Sequence, residues 1–294
     1  MRLRCFLAAL FGLTVLTGEA LAAICELVVQ EQERQRVALD RDYFDRPRVN
    51  LAVFDGNALR WLDEPLAVEA GCSAQALLAQ PRVVLLRCAT GHAAMVGHGS
   101  GNAPRWRRRL GNERVIGVDS TGLLLSSGEL INPGTGEARP LVNPRPGRQL
   151  AAWSTSGAVY AYDPTAIESR HAGIVRWSSE AGSPELVIER TGSWFRRAPN
   201  VEAMTLDDSE RYLLIVERPD WRGPTWIGLA VYDLRTGEQV HQQRLDDDCV
   251  CQDGRMIKGK DGLIGVSYHN VTAGAYVLVT FRVRTADSAN RGTE

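Results

Sequence analysis

Residues that could carry out acid–base, nucleophilic or metal chemistry are few and widely spaced. Of the five histidines, the two nearest in sequence are His92 and His98, and no third metal ligand lies beside them. Zinc binding needs at least three protein ligands, so this pair does not favour a zinc site. Ser100 is not in a nucleophile elbow, because His98 stands where the G-x-S-x-G motif requires its first Gly. The stretch GHGSGN also lacks the Gly-Lys-Ser/Thr ending of a phosphate loop.

Acidic residues cluster near the C-terminal end of the chain. Asp246, Asp247, Asp248 and Asp253 could supply hard oxygen ligands to Ca²⁺, but they lack the alternating spacing of a calcium-binding loop. Calcium is therefore a secondary prediction. We predict no organic cofactor and no other metal.

Cysteines point to disulfide bonds. The sequence has six cysteines, of which Cys5 lies in the N-terminal leader described below. The remaining number is odd, so one thiol stays free, pairs with another chain or binds a ligand. Cys72 and Cys88 flank one segment and could close a local loop. Cys249 and Cys251 are too close to pair comfortably with each other, so we expect one of them to pair with Cys25. The disulfide candidates are Cys25, Cys72, Cys88, Cys249 and Cys251.

The first residues have the pattern of a secretory signal peptide. MRLR gives a positive start, CFLAALFGLTVL an apolar run, and Ala20-Leu21-Ala22 a small-x-small cleavage site. Thr17, Gly18 and Glu19 end the run before it reaches the ~18 residues that a membrane span needs. We predict a signal peptide over residues 1–22 and a periplasmic or secreted mature chain over residues 23–294, with no membrane span after cleavage. An oxidising compartment agrees with structural disulfides.

Composition excludes bulk electrostatic attraction to nucleic acid or membrane, because the formal net charge is −1. Among the 34 basic residues only Lys258 and Lys260 are lysine, a bias compatible with a GC-rich bacterial genome. No linker divides the mature chain, so it is predicted to be one domain.

A strand that ends in a polar turn recurs along the chain. AVFDGNALRWL at 52–62, LINPGTGEARPL at 130–141 and LAVYDLRTGEQV at 229–240 each have apolar residues, then Asp or Asn, then a Gly-bearing turn and a second strand. Similar strand ends recur about every 40–50 residues, which is the period of a four-stranded propeller blade. The sequence therefore predicts an all-β chain, a single β-propeller of about six four-stranded blades, or seven if 32–50 builds more than one strand. The rival fold is a β-sandwich, and SAQALLAQ at 73–80 is the one predicted helix.

The best-defined repeat also carries a family resemblance. TLDDSERYLLIVE followed by LAVYDLRTGEQV resembles the "SPDGRYLLV…VYDLRTGE" blade of WD40-like and TolB/YncE-type β-propellers. The resemblance is strong over about 40 residues and architectural over the rest. Ser209-Glu210 replaces the family's Asp-Gly turn, and no blade has the Gly-His…Trp-Asp signature. The resemblance thus implies a propeller fold and no particular activity.

The chain ends are predicted to meet in one blade. The tail after residue 285 has no strand character, whereas ICELVVQE at 24–31 can supply the missing outer strand of the last blade. Pairing these two parts of the chain closes the propeller and removes an open sheet edge.

Three long segments are predicted to lie on one face of the propeller. They are 163–173, 189–200 and 217–226. In a propeller of four-stranded antiparallel blades, the connection from the second to the third strand of a blade and the connection from one blade to the next lie on the same face. Trp and Arg make good buried anchors in interfaces, so we predict partner binding there. These aromatic side chains could instead fold back and cap the blade ends. The predicted partner-binding residues are Arg170, His171, Trp194, Phe195, Arg196, Arg197, Trp221, Arg222 and Trp226.

RWRRR at 105–109 is predicted to be a charged outer strand that resists edge pairing, with an anion-binding patch as the alternative.

Two function classes follow from these observations. The favoured class is a non-catalytic exported propeller that binds a protein or another ligand through these loops, for example a partner in the cell envelope or a secreted protein. The alternative is a propeller hydrolase or lyase that acts on a carbohydrate, lactone or ester in the central channel. Such a site is assembled from several blades and need not leave a sequence motif.

Overall fold

Antiparallel strands account for all the regular secondary structure in the residues that can be described. The computed structural model describes residues 27–39, 48–65, 68, 70–99, 103–141, 150–167, 171–178, 184–191, 199–219 and 225–285. Residues of the predicted signal peptide lie outside these ranges. The described part of the chain contains no helix long and apolar enough to cross a membrane.

Five sheets have four strands each, joined in sequence order from the inside outward, apart from the outer strand of the fifth. The first blade contains β4 (Cys72–Ala79), β5 (Arg82–Cys88), β6 (Ala93–His98) and β7 (Pro104–Arg109). The second contains β8 (Val115–Asp119), β9 (Gly122–Leu125), β10 (Glu129–Ile131) and β11 (Ala138–Pro140). The third contains β12 (Ala151–Trp153), β13 (Val159–Ile167), β14 (His171–Trp177) and β15 (Glu185–Thr191). The fourth contains β16 (Asn200–Leu206), β17 (Tyr212–Arg218), β18 (Thr225–Asp233) and β19 (Gln239–Cys249). The fifth contains β20 (Cys251–Lys258), β21 (Leu263–Asn270), β22 (Ala275–Thr285) and, as its outer strand, β1 (Leu27–Ala38).

A sixth sheet is a two-stranded hairpin of β2 (Arg48–Asp55) and β3 (Ala58–Pro65). The prediction of six or seven four-stranded blades is therefore wrong for the described residues, which form five. The sequence repeat led to the higher count because 52–62 has the same strand–turn–strand pattern as the hairpins of the full blades. The all-β propeller architecture itself is confirmed by the five four-stranded sheets.

The apolar cores lie between neighbouring sheets. The largest joins the fourth and fifth blades and includes the buried side chains of Tyr212, Tyr268 and Phe281. β17 and β21 are buried along almost their whole length, which explains why their sequences are continuous apolar runs: both faces of each strand are covered. The β2–β3 hairpin packs against the first blade on one side and the fifth on the other.

The N-terminal strand joins the last blade, as the sequence predicts. β1 pairs antiparallel with β22 from Leu27 opposite Thr285 to Ala38 opposite Ala275, with an irregularity between Glu31 and Glu33. The strand is longer than the predicted 24–31. It covers the edge of β22, which would otherwise present unpaired backbone groups.

The predicted helix at 73–80 is wrong, because these residues form β4. The segment pairs with β5 from Cys72 opposite Cys88 to Ala79 opposite Arg82. Its Ala, Leu and Gln residues have high intrinsic helix propensity, but sheet pairing and packing of Ala76 against the hairpin core outweigh that preference.

Connections between strands define two faces. The upper face carries the connections β13–β14, β15–β16, β17–β18, β19–β20 and β21–β22, and the lower face carries the turns β12–β13, β16–β17 and β20–β21. On the lower face these turns contact each other across blades. Gly262 N donates to Asp208 Oδ2 at 2.8 Å, and Thr155 N donates to Glu210 Oε1 at 2.6 Å. The strands that flank the three predicted binding segments end at the upper face.

Candidate functional site

A buried ion pair lies directly beneath the upper face, at the base of two of the predicted binding loops. Arg190 is next to the end of β15 and Glu217 is next to the end of β17, and both side chains are 2% exposed. Arg190 Nη2 donates to Glu217 Oε2 across the boundary between the third and fourth blades. A charge removed from water is tolerated only when it is paired and hydrogen-bonded, so this contact fixes the two strand ends relative to each other.

Further hydrogen bonds complete the network around this pair. Arg190 Nη1 donates to the carbonyl of Pro199 at 2.8 Å, just before β16 begins. Gln242 Nε2 donates to Glu217 Oε1 at 3.0 Å. Arg190 Nε donates to Tyr232 Oη at 3.4 Å, and burial raises the pKa of this tyrosine, which keeps it neutral. The segment from Arg190 to Pro199 is thus held at both ends by one guanidinium group.

Most of the predicted partner-binding residues lie outside the described residues. These are Arg170, Trp194, Phe195, Arg196, Arg197, Trp221 and Arg222. His171 is the first residue of β14, so the segment predicted as a loop over 163–173 is shorter than expected because β13 continues to Ile167. Binding by these residues stays a prediction.

Trp226 is the one predicted binding residue whose side chain is described. It lies near the start of β18, half-buried, with the Arg244 guanidinium carbon 5.6 Å from its ring centroid. Gly228 faces the same indole: a Cβ at this position would lie 3.0 Å from Trp226 Cζ3. The ring is therefore packed along its own sheet.

Two exposed valines extend the upper face toward the fifth blade. Val250 lies between β19 and β20 and is 41% exposed, and Val271 lies in the β21–β22 turn and is 42% exposed. The two segments are joined, because Val271 N donates to the carbonyl of Val250 at 2.9 Å. Val250 N donates in turn to Thr272 Oγ1 at 3.0 Å. These bonds hold an exposed apolar pair on the upper face.

Both disulfides lie at strand ends on this same face. Cys72 and Cys88 are directly opposite in β4 and β5 and form the predicted local bond. The expected pairing of Cys249 or Cys251 with Cys25 is wrong, since these two residues are bonded to each other. The chain leaves the fourth blade and enters the fifth at Val250, and this change of direction brings the two Cα atoms to 5.3 Å, a normal disulfide separation. Cys25 lies outside the described residues.

The central channel forms a cavity of about 990 Å³ lined by the inner strands. Its lining comes from β2, β4, β8, β12, β16 and β20, with further residues from β5, β6 and the segment between β7 and β8, and is mixed in character. The charged residues of this lining are Arg87, Glu113, Arg114, Asp119, Glu202, Asp253, Arg255 and Lys258.

Several of these charges are engaged in local structure. Asp119 Oδ1 accepts from the backbone nitrogens of Thr121 and Gly122 and thereby closes the β8–β9 turn. Glu202 pairs with Arg218 on the neighbouring strand. No histidine belongs to the described part of the lining.

The weaker candidate sites are placed as follows. His92 immediately precedes β6 and His98 ends it, so about 20 Å of extended chain separates them and they cannot share a zinc ion. β7 is the outer strand of the first blade, as predicted, with Arg105, Arg107 and Arg109 exposed.

The acidic run has its own local partners. Asp247 pairs with Arg244 at 2.8 Å, and Asp246 accepts from Asn270 at 2.8 Å. Calcium binding there stays a prediction.

Comparison with known proteins supports no family assignment. No protein-family model matches the chain, and no curated protein sequence matches it. Among solved structures it is similar to TolB from Acinetobacter baumannii, at 12% identity and a TM-score of 0.34, covering 85% of this chain and 65% of that one. It is also similar to the N-terminal domain of Nup159, at 11% identity and a TM-score of 0.39, covering 80% and 73% of the two chains. The Dos1 propeller matches at 11% identity and a TM-score of 0.33, covering 70% and 67%.

The chain therefore spans less than two thirds of the TolB chain. It resembles WD40-like and TolB-type propellers in fold.

Proposed function

We propose that this chain is an exported, non-catalytic β-propeller that binds a protein partner through its upper face. The contact surface consists of the segments at 163–173, 189–200 and 217–226, continued by Val250 and Val271. The Trp and Arg side chains of the loops supply the anchors, and the apolar valine pair extends the surface at its edge.

The observation that carries this proposal is the Arg190–Glu217 ion pair with its hydrogen bonds to Pro199 and Gln242. A buried ion pair contributes little net stability compared with an apolar pair of the same size. Its place at the base of two loops gives it another use: it fixes where the loops leave the blades. A binding surface with fixed loop ends loses less conformational entropy when a partner docks.

The test uses cross-linking and purification of the tagged mature chain in its native compartment, beside a Trp221→Ala/Arg197→Ala double variant. The intact chain is expected to retain a partner that the folded double variant loses. Equal recovery by both chains, with equal thermal stability, would place binding elsewhere.

Export is the second part of the proposal. The two disulfide bonds support an oxidising compartment, where such bonds persist. The measurement is the N-terminal sequence of the protein recovered from the periplasm or medium, which should begin near residue 23. An uncleaved N-terminus in the cytoplasm would contradict export.

Ligand binding or catalysis in the central channel is the second candidate function. The observation in its favour is the cavity itself, whose size matches that of small-molecule sites. We infer that the β2–β3 hairpin completes the ring around this cavity, since it packs against both the first and the fifth blades. A panel of carbohydrate, lactone and ester substrates, assayed with the intact chain and with a Glu202→Gln/Asp253→Asn variant, tests it. Turnover that the variant loses would replace the binding proposal with an enzymatic one.

A further inference from the structure

The Cys249–Cys251 disulfide closes a loop too small to act as an effective staple. Its partners are separated by two positions in sequence, against 16 for Cys72–Cys88. A cross-link stabilises a fold mainly by restricting the unfolded chain, and the restriction grows with loop length. The Cys249–Cys251 bond therefore adds much less of this stabilisation than the Cys72–Cys88 bond, and its position invites another explanation.

A carboxylate lies beside the two sulfur atoms. A ligand oxygen of Asp246 and both Sγ atoms lie within 4.8 Å of one another. Cysteine sulfur and carboxylate oxygen are ligands that Zn²⁺ accepts, at about 2.3 and 2.0–2.2 Å. The two sulfur atoms are bonded to each other in this structure, so both can bind one ion only after that bond is reduced.

Asp246 is held in place by neighbouring donors. Its Oδ2 accepts from Asn270 Nδ2 at 2.8 Å and from Tyr268 Oη at 3.4 Å. Its Oδ1 accepts from the backbone nitrogen of Asp247 at 3.2 Å. Donors of this kind, which orient a carboxylate without touching the metal, are a regular feature of metal sites.

We propose that reduction of the Cys249–Cys251 bond creates a binding site for Zn²⁺, with Cys249, Cys251 and Asp246 as its ligands and a water molecule in the fourth position. The reductant is a dithiol. It transfers two electrons and two protons to the disulfide, giving two thiols, and itself becomes a disulfide. Zn²⁺ then displaces both thiol protons to the solvent and binds the two thiolates.

Electrostatics links the two steps. Two thiolates beside one carboxylate place three negative charges together, so the carboxylate opposes thiolate formation while no cation is present. Zn²⁺ removes most of this repulsion and stabilises the reduced form. Since anything that binds one state shifts the equilibrium toward it, zinc makes the disulfide easier to reduce.

The position of the disulfide, at a surface bend on the upper face, favours its reduction. Cys249 is 1% exposed and Cys251 is 6% exposed, but Val250 between them is 41% exposed. The bend between β19 and β20 therefore lies at the surface, while the ligand atoms lie just beneath it. Val250 belongs to the contact surface proposed above, but none of the three zinc ligands does.

The test is an anaerobic titration of the reduced full chain with Co²⁺, a spectroscopic substitute for Zn²⁺, followed by displacement with Zn²⁺. We expect a thiolate-to-cobalt charge-transfer band that saturates at one ion per chain. It should be absent from the oxidised chain and from Cys249→Ser/Cys251→Ser, which keeps the other cysteines. Asp246→Asn should weaken binding at least tenfold, whereas Asp247→Asn, whose carboxylate pairs with exposed Arg244, should leave it unchanged. An equal band in the double serine variant, or unchanged affinity in Asp246→Asn, would overturn the assignment.

A second measurement remains informative if the double variant fails to fold. The reduction equilibrium of the native chain is measured against a dithiol buffer with and without Zn²⁺. Zinc should shift it toward the reduced form by at least tenfold, or ~30 mV for this two-electron couple. A midpoint that does not move with zinc would contradict the proposal.

Discussion

Glu217→Gln should destabilise the protein strongly, because it removes the charge that compensates buried Arg190. The two side chains are each 2% exposed, and Gln has nearly the volume of Glu, so no cavity contributes to the effect. Leaving one buried charge without its partner costs about 3–5 kcal/mol. For a chain of this size, about 2–4 °C is lost per kcal/mol, so the melting temperature should fall by about 6–20 °C.

The assay is urea unfolding followed by circular dichroism, with Asp247→Asn as the matched control. Asp247 also pairs with an arginine, Arg244, but these side chains are 59% and 62% exposed. Exposed pairs contribute about 0–1 kcal/mol, so the control should stay close to the native chain. The double variant Arg190→Met/Glu217→Leu should recover most of the loss, since it leaves no charge in the buried site. A Glu217→Gln chain as stable as the control would refute the account of this network.

Three other variants or conditions test separate parts of the structure. Replacing Cys72 and Cys88 by Ala should lower the free energy of unfolding by about 3 kcal/mol in denaturant melts, as expected for a loop with a sequence separation of 16. Burial lowers the pKa of His241 and the pKa of His269 below the value that histidine has in the unfolded chain. These two groups therefore contribute their full stabilisation above pH ~6.5, and this stabilisation is lost as the pH falls through the folded-state pKa. Between pH 8 and pH 5 the melting temperature should fall less for a variant with both histidines changed to Gln than for the native chain. Gly262→Ala should destabilise the protein by more than ~1 kcal/mol at the β20–β21 turn, because φ is +71° and the new Cβ would lie 2.2 Å from a backbone carbonyl oxygen of β22. An unchanged melting temperature would contradict that geometry.

Strand patterning predicted the hairpins of the fold well. The turns at Asn132 and Asp233 form as the sequence indicates, with side-chain oxygens accepting from nitrogens two residues on and glycines at positive φ closing each turn. Local chemistry determines such turns, so local sequence reveals them. The number of full blades depends on whether the less regular segments beside each hairpin add two further strands to it. The strand–turn–strand pattern at 52–62 could not show that its hairpin stays two-stranded.

The buried network beneath the upper face was missed, although a signal for it was present. In ELVIERT, Arg190 closely follows the apolar residues 186–188, and in YLLIVER, Glu217 follows the apolar run 212–216. A charge at the end of an apolar run that is covered on both faces indicates a buried group that needs a partner. By contrast, nothing local showed that Cys249 bonds to Cys251, because that contact depends on how sharply the chain turns between two blades.

The most direct test of the upper-face proposal compares partner capture by the native chain, Val250→Asp and Leu186→Asp in the same compartment. Both substitutions place a charge on an exposed apolar side chain, 41% and 45% exposed, but Leu186 lies near the start of β15, toward the lower face. Val250→Asp should lose the captured partner, and Leu186→Asp should retain it. Retention by both folded variants, or loss only in Leu186→Asp, would contradict a binding surface on the upper face.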